Sequence, residues 1–339
     1  MIKYICPVKV GSAQGLVAEI YAQIQRDFGR VVEPFVLHSP LPKLLAGAWM
    51  ACRETELTGS VPRSMKEAVA AAVSMINRCP YCVDAHTIML DAIGEHTIAS
   101  SINHARYSQI RDAKLRSLIK WGLSTGTPKV EMSSLLSFAP QEVPEIIGTA
   151  VFYHYINRMA TVLLGETPLP SSRPWLKSTL RRIAGRMFSQ AVHRPKTAGA
   201  SLKFLPPAKL PADLHWVAAN PIIAQAFARF SAAIDEVGEH TIPLQVRKHV
   251  VASISNWQGE PIAHSKRWID NETKGFDEPA KSVAYLALLA ALAPWQIDEY
   301  SILRFRQYFP DDHLLLSTLA WGSFSAARKI GTWLQISNT

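Results

Sequence analysis

The 339-residue sequence has no apolar run long enough to cross a bilayer, which takes about 20 residues in a helix. The longest apolar stretch extends from Val283 to Trp295 and is interrupted by Pro294. The N-terminal segment also lacks the apolar run and the small-residue cleavage site of a signal peptide. We therefore expect a soluble, cytoplasmic protein.

Cysteine is scarce, and the four in the chain are Cys6, Cys52, Cys79 and Cys82. Four are too few for a disulfide framework in a chain of this length, and cytoplasmic proteins rarely keep disulfides. A closely spaced pair in that setting indicates redox chemistry or metal binding, and Cys79 and Cys82 form such a pair. Cys6 and Cys52 are expected to be ordinary small residues, with Cys52 inside a helix.

Acidic residues are nearly absent from one segment of the chain. Between Glu166 and Leu210, nine lysines and arginines accompany a single acid, so this segment carries most of the net charge of +9. The rest of the chain is almost neutral, and we therefore expect no nucleic-acid partner. The basic residues are Arg173, Lys177, Arg181, Arg182, Arg186, Arg194, Lys196, Lys203 and Lys209.

The composition, 48% apolar and 19% charged, is that of a globular protein and excludes a disordered or fibrous chain. The sequence shows no sustained alternation of apolar and polar residues with hairpin turns, which argues against strands. Apolar residues recur instead at helical spacing, so the predicted fold class is all-α. Helices are predicted over residues 15–28, 41–57, 62–77, 79–94, 108–123, 142–164 and 175–191.

The proline-rich segment 166–210 is predicted to be a connector that contains one short helix, 175–191. Apolar residues of this helix (Leu176, Leu180, Ile183 and Met187) are interspersed with arginines. A basic amphipathic helix can lie on a membrane surface. The alternative, which we favour, is a helix packed on the protein with its arginines in water.

The second half of the sequence faintly repeats the first. Three prolines keep one register over an ungapped shift of 181 residues, each at a predicted helix start. The aligned pairs are Pro40 with Pro221, Pro62 with Pro243 and Pro80 with Pro261. We predict two tandem helical domains, residues 1–165 and 211–339, joined by the connector 166–210.

The sharpest chemical feature is the CxxC pair, Cys79 and Cys82, followed by His86. A CxxC at a helix start places both sulfurs near the unpaired N–H groups of the first turn, where the helix dipole favours thiolate. His86 lies one turn beyond Cys82 on the same face, where it can accept or hold the thiol proton. Glu67, on the preceding helix, can approach this imidazole and raise its basicity.

The pattern Glu67-x11-Cys79-x2-Cys82-x3-His86 resembles the signature of the alkylhydroperoxidase D (AhpD)-like proteins, within the carboxymuconolactone decarboxylase superfamily. The resemblance implies an all-α AhpD-like fold that assembles as a homo-oligomer, with a thiol-dependent hydroperoxidase site and no cofactor. It implies that Cys82 attacks a small hydroperoxide, that Cys79 resolves the sulfenic acid as a disulfide, and that His86 relays a proton towards Glu67. A dithiol or dihydrolipoyl-type reductant would restore the pair.

Two features depart from the family pattern. AhpD itself has a second histidine between the cysteines, where this sequence has Tyr81, which cannot act as a base near neutral pH. The second half has none of the four site residues, and we expect it to be structural. The residues that the same shift places there are Lys248, Glu260, Ala263 and Arg267.

Other interpretations stay open at this point. Two cysteines, a histidine and a carboxylate could hold zinc tetrahedrally, which would make the protein a zinc-stabilised scaffold. The same thiols could instead serve another reaction on an organic substrate. The spacing of His249, Glu260 and His264 weakly suggests a metal site, whereas His104 and His154 are expected to be core or surface histidines.

Overall fold

The computed structural model describes residues 2–170 and 174–335, and the architecture is all-α, as predicted. Within these ranges there is no strand, and no helix is both long and apolar enough to cross a membrane. Arg173 of the basic segment lies outside the described residues. The helices are α1 (Gly15–Phe28), α2 (Glu33–Val36), α3 (Pro42–Cys52), α4 (Arg63–Ile76), α5 (Pro80–Ile93), α6 (His96–Asn103), α7 (Ala113–Ser124), α8 (Val143–Leu163), α9 (Pro174–His193), α10 (Pro221–Thr241), α11 (Leu244–Asn256), α12 (Arg267–Glu272), α13 (Glu278–Leu292), α14 (Glu299–Arg306) and α15 (Asp312–Trp333).

Most predicted helices lie close to their expected bounds. α1 covers the predicted residues and ends at Gly29, whose φ of 95° gives the left-handed turn that closes many helices. α7 begins later than predicted, because Asp112 caps its N-terminus by accepting a hydrogen bond from the Leu115 N–H at 3.1 Å. Before that cap the chain forms a short 3-10 turn, Tyr107–Gln109.

The predicted helix 41–57 changes type in its second part. α3 ends at Cys52, and the chain continues as a π-helical turn, Arg53–Leu57. The wider turn does not follow the 3.6-residue repeat, so periodicity could not predict which of its side chains face inward. It buries four consecutive polar residues, Arg53, Glu54, Thr55 and Glu56. Turns of this kind often occur at functional sites.

One apolar core extends through both halves of the chain. The halves meet along two helix pairs, since α3 packs against α10 and α8 packs against α15. Gly47 of α3 makes the first contact close, because a Cβ at this position would lie 2.7 Å from the Phe230 ring of α10. The division into domains 1–165 and 211–339 stays a prediction.

The repeated prolines are only partly helix starts. Pro62 and Pro243 directly precede α4 and α11 with nearly equal backbone angles, φ −51° and ψ 135° against φ −52° and ψ 140°. Pro80 is the first residue of α5, but its counterpart Pro261 lies in a non-helical stretch before α12. The expectation is therefore wrong for Pro261. There the indole N–H of Trp257 donates to the carbonyl of Glu260, the residue before Pro261, at 3.2 Å and holds the chain in a turn.

The helix of the predicted connector, α9, packs against α5. Asp84 of α5 accepts a hydrogen bond from Lys177 at 2.9 Å and lies 3.7 Å from Arg181. Arg182 and Arg186 are exposed on the outer side of α9. The helix is therefore joined to the part of the protein that carries the CxxC pair, although its sequence reads as a linker.

The contact at Gly47 gives a stability prediction. Gly47→Ala should lower the free energy of unfolding by about 1–3 kcal/mol, because the new Cβ overlaps the Phe230 ring and approaches its backbone. Urea unfolding followed by circular dichroism measures the change. Gly11→Ala is the control, since nothing lies within 4 Å of a Cβ there. Equal stability of both variants would contradict the close contact of α3 with α10.

Candidate active site

The CxxC pair stands at the N-terminus of α5, as the sequence predicts. Cys79 precedes the helix, Pro80 opens it without needing a backbone N–H partner, and Cys82 lies in the first turn. Both cysteines are buried, and their sulfurs are 2.8 Å apart with no disulfide bond between them. A thiol–thiol contact at a helix N-terminus favours the loss of one proton from the pair.

The predicted contact between Glu67 and His86 is present. Glu67 Oε2 of α4 lies 2.6 Å from Nδ1 of His86, and neither residue is more than 5% exposed. Burial lowers the pKa of His86 to about 4, so the imidazole is neutral at pH 7, and the expectation that Glu67 raises its basicity is wrong because burial outweighs the carboxylate. Because Nδ1 donates its hydrogen to the carboxylate, Nε2 carries the lone pair and is the basic nitrogen.

The two thiols titrate as a coupled pair, and their pKa values are shifted in opposite directions. Burial by itself raises the pKa of Cys79, but hydrogen bonds from the thiol and the backbone N–H of Cys82 outweigh it, and the net pKa is lowered. Burial and the charge of Cys79 raise the pKa of Cys82. Cys82, and not Cys79, lines the adjoining cavity.

Three residues that sequence reasoning missed complete the buried cluster, namely Glu56, Arg63 and Tyr153. Arg63 Nε donates to Glu67 Oε1 at 2.7 Å and its guanidinium lies 3.5 Å from Glu56, so one cation serves two carboxylates. The Tyr153 hydroxyl donates to Glu56 at 2.6 Å, and its ring meets the His86 ring edge-on at 4.3 Å. Burial and Glu67 raise the pKa of Glu56.

The sequence signals for these residues differ in strength. Arg63 stands four residues before Glu67 on one helix, a spacing at which opposite charges commonly pair, so it could have been found. Glu56 lies in the π-helical turn, which no periodicity predicts. Tyr153 reaches the site from α8, far along the chain, and nothing in its local sequence marks it.

Tyr81, which replaces the second histidine of AhpD, does not point to the imidazole. Its hydroxyl donates to Glu33 Oε2 at 2.5 Å. Burial and the nearby Glu33 raise its pKa, so the phenol stays protonated, in keeping with the expectation that it is no base. This hydrogen bond joins the first residue of α2 to α5.

A cavity of about 440 Å³ opens beside the buried cluster. Cys82 and His86 line one side of it, together with Cys52 of α3. Cys52, which was expected to be an ordinary small residue in a helix, thus borders the cavity, although burial and Glu56 raise the pKa of its thiol and keep it neutral. The remaining wall is mostly apolar and comes from the 28–36 segment, further residues of α5, residues 168–170, α8 and α9.

The zinc hypothesis finds little geometric support. Among the described residues, the one group of His, Cys, Asp and Glu side chains close enough to share a metal ion is Glu56, Glu67 and His86, without either sulfur. Arg63 already pairs with both carboxylates. The group His249, Glu260 and His264 is not assembled within the described residues, and His249 instead pairs with Glu272 at 3.5 Å.

The other predicted histidines lie away from the thiols. His154 is fully buried in α8, where its ring nitrogens lie 3.1 Å from the Asn77 amide and 2.9 Å from the Thr125 hydroxyl. His104 is exposed at the end of α6. These are a core and a surface histidine, as expected.

The fold and the site together define a class of proteins. An all-helical chain that places two thiols at a helix start, with a carboxylate-bound histidine one turn beyond, has the architecture of the AhpD-like proteins. Residues 43–97 match the carboxymuconolactone decarboxylase family, and this range contains all four predicted site residues.

The chain belongs to the carboxymuconolactone decarboxylase family as an AhpD-like member. It is similar to alkyl hydroperoxide reductase Rv2159c of Mycobacterium tuberculosis (strain ATCC 25618 / H37Rv). The two sequences are 39% identical over 333 residues, which cover 98% of this chain and 95% of the relative.

The neutral state of His86 predicts a pH-dependent stability. Its pKa is about 4 in the folded protein and about 6.5 when unfolded, so between these values the unfolded chain binds one more proton. The contribution of His86 to the unfolding free energy is therefore complete above pH 6.5 and is lost as the pH falls towards 4. Replacing the residue by glutamine should make the unfolding free energy less steep with pH in this window, by up to about 1.4 kcal/mol per unit.

Urea unfolding of the wild type and His86→Gln at several pH values measures this difference. Above pH 7 the two curves should be parallel, which serves as the internal control. Curves that stay parallel down to pH 4.5 would mean that the folded-state pKa of His86 is not depressed.

Proposed function

We propose that the protein is a thiol-dependent hydroperoxidase, a peroxidase-type oxidoreductase that reduces a hydroperoxide through Cys82 and Cys79. The observation that carries this proposal is the neutral His86, held by Glu67 at 2.6 Å, beside a CxxC pair whose Cys82 faces a cavity. The name of the similar mycobacterial protein, alkyl hydroperoxide reductase, supports the same activity.

The reaction begins when His86 Nε2 accepts a proton from the thiol pair and a thiolate forms at Cys82. This sulfur attacks the outer oxygen of the hydroperoxide, the O–O bond breaks, and Cys82 becomes a sulfenic acid. The alkoxide leaves and takes the proton from the imidazolium, giving the alcohol. Glu67 stabilises the transient imidazolium, and Arg63 pairs with the same carboxylate.

Cys79 then resolves the intermediate. Its sulfur attacks Cys82, a disulfide forms, and water leaves with the sulfenic oxygen. One hydroperoxide and two thiols thus give one alcohol, one water and one disulfide. A dithiol, for which a dihydrolipoyl group is our candidate, reduces this disulfide by exchange and is itself oxidised. We further propose a cytoplasmic location, where such reductants are available, and a homo-oligomeric assembly.

Substitution of the thiols tests the proposal. After one equivalent of organic hydroperoxide, denaturing alkylation and intact mass should show the loss of two thiols, mapped to Cys79 and Cys82. Cys82→Ser should abolish hydroperoxide consumption, whereas Cys79→Ser should consume about one equivalent and stop at the sulfenic acid. Cys6→Ser is the matched control, because Cys6 is exposed and far along the chain from the pair. Unchanged consumption by Cys82→Ser would refute the assignment.

Removal of the base tests the role of His86. His86→Gln should slow the first thiol oxidation by about 10²–10⁴-fold, the usual contribution of a positioned acid–base group, while leaving two reactive thiols. Stopped-flow measurement of the first turnover at pH 7 gives the rate. His104→Gln, a change at an exposed histidine, should leave the rate unchanged. A rate within threefold of the wild type for His86→Gln would show that another group accepts the proton.

A further inference from the structure

The inner face of α9 covers the cavity that contains Cys82 and His86. Its contribution to the lining is apolar, and the residues are Leu180, Ile183, Ala184, Met187 and Phe188. Sequence reasoning assigned this helix to a connector and gave it no part in the site. In the structure α9 covers the cavity next to the thiols, and we call this helix the roof of the cavity.

Several contacts fix the roof in place. Asp84, two residues after Cys82, is 4% exposed and accepts hydrogen bonds from the Thr167 hydroxyl at 2.6 Å and from Lys177 at 2.9 Å. Gly185 lets α9 approach the α5 backbone, since a Cβ there would lie 3.1 Å from a main-chain nitrogen. Phe188 meets Phe28 edge-on at 5.7 Å. The roof is thus attached along its length.

The cavity runs from a reactive end to an open end. Cys82 and His86 are 3% and 5% exposed, whereas Ile183 and Met187, which line the same cavity, are 53% and 61% exposed. A molecule with its polar end at the thiol would therefore lay its remaining atoms along α9 and reach solvent at Ile183 and Met187.

The volume of the cavity is much larger than the volume of hydrogen peroxide, the smallest peroxide. A water molecule takes about 30 Å³ of liquid volume, and hydrogen peroxide is only slightly larger, whereas the cavity measures about 440 Å³. Apolar walls gain free energy when they replace water by hydrocarbon. The volume and the mostly apolar lining therefore suit a peroxide with a hydrocarbon part better than hydrogen peroxide.

We propose that α9 selects the substrate by its hydrocarbon chain, and that the site takes an organic hydroperoxide with an extended alkyl chain, its O–O group at Cys82 and its chain along Leu180, Ile183 and Met187. This inference rests on the hydroperoxidase function proposed above. It makes these three residues of α9 determinants of specificity, and it makes Asp84 a positioning residue that holds the roof.

A chain-length series tests the proposal. With the full-length protein and linear hydroperoxides from ethyl to decyl, kcat/KM should rise by about threefold per methylene until the chain reaches the mouth. Ile183→Asp, and as a second variant Met187→Asp, should reduce the ratio of the decyl to the ethyl value at least tenfold. Leu303→Asp on α14 is the matched control, because Leu303 is 57% exposed, much like Ile183, and should leave the ratio unchanged.

A second readout does not need peroxide chemistry. 1-Decanol should protect Cys82 from alkylation by iodoacetamide in the wild type and in Leu303→Asp, but poorly in Ile183→Asp, and ethanol should not protect. A flat chain-length series without protection by decanol would overturn the inference, even where hydroperoxides are consumed. Protection by decanol, with no consumption of any hydroperoxide, would support the chain-binding cavity and refute the proposed peroxidase function.

Discussion

The site is organised around the hydrogen bond between Glu67 and His86, made where water has almost no access. A buried carboxylate is costly unless it is paired, and here Arg63 on its own helix and the imidazole on the next supply the partners. The bond is 2.6 Å long and joins α4 to α5. The same contact assigns the imidazole hydrogen to Nδ1, which leaves Nε2 as the base.

α5 has two functional faces, which lie on opposite sides of one helix. Cys82 and His86, four residues apart, line the cavity. Asp84, between them in sequence, lies on the other side and binds Lys177 of α9. α5 thus supplies the reactive groups and also anchors α9, the helix that covers them. Part of the basic character of residues 166–210 is explained by Lys177, which pairs with the buried Asp84.

The second half of the chain contributes packing to the first. α3 and α8, which carry Cys52 and Tyr153 of the site, are buried along almost their whole length, and α10 and α15 cover them. A helix that is apolar on most of its faces needs partners on most of its faces. The structural role expected for this half and the domain limits stay predictions.

The sequence by itself determined the all-α class, most helix bounds and the juxtaposition of Cys79, Cys82 and His86, because these follow from local periodicity and spacing along one helix. It also indicated Glu67, whose spacing from the CxxC pair is a family signature. The tertiary structure alone decided what surrounds them. Glu56 reaches the site from a π-helical turn, and Tyr153 reaches it from α8, which is distant in the sequence. α9, which the sequence predicts to be part of a connector, packs over the cavity. Each depends on contacts between segments far apart in the chain, where burial and pairing of charge, rather than local pattern, select the arrangement.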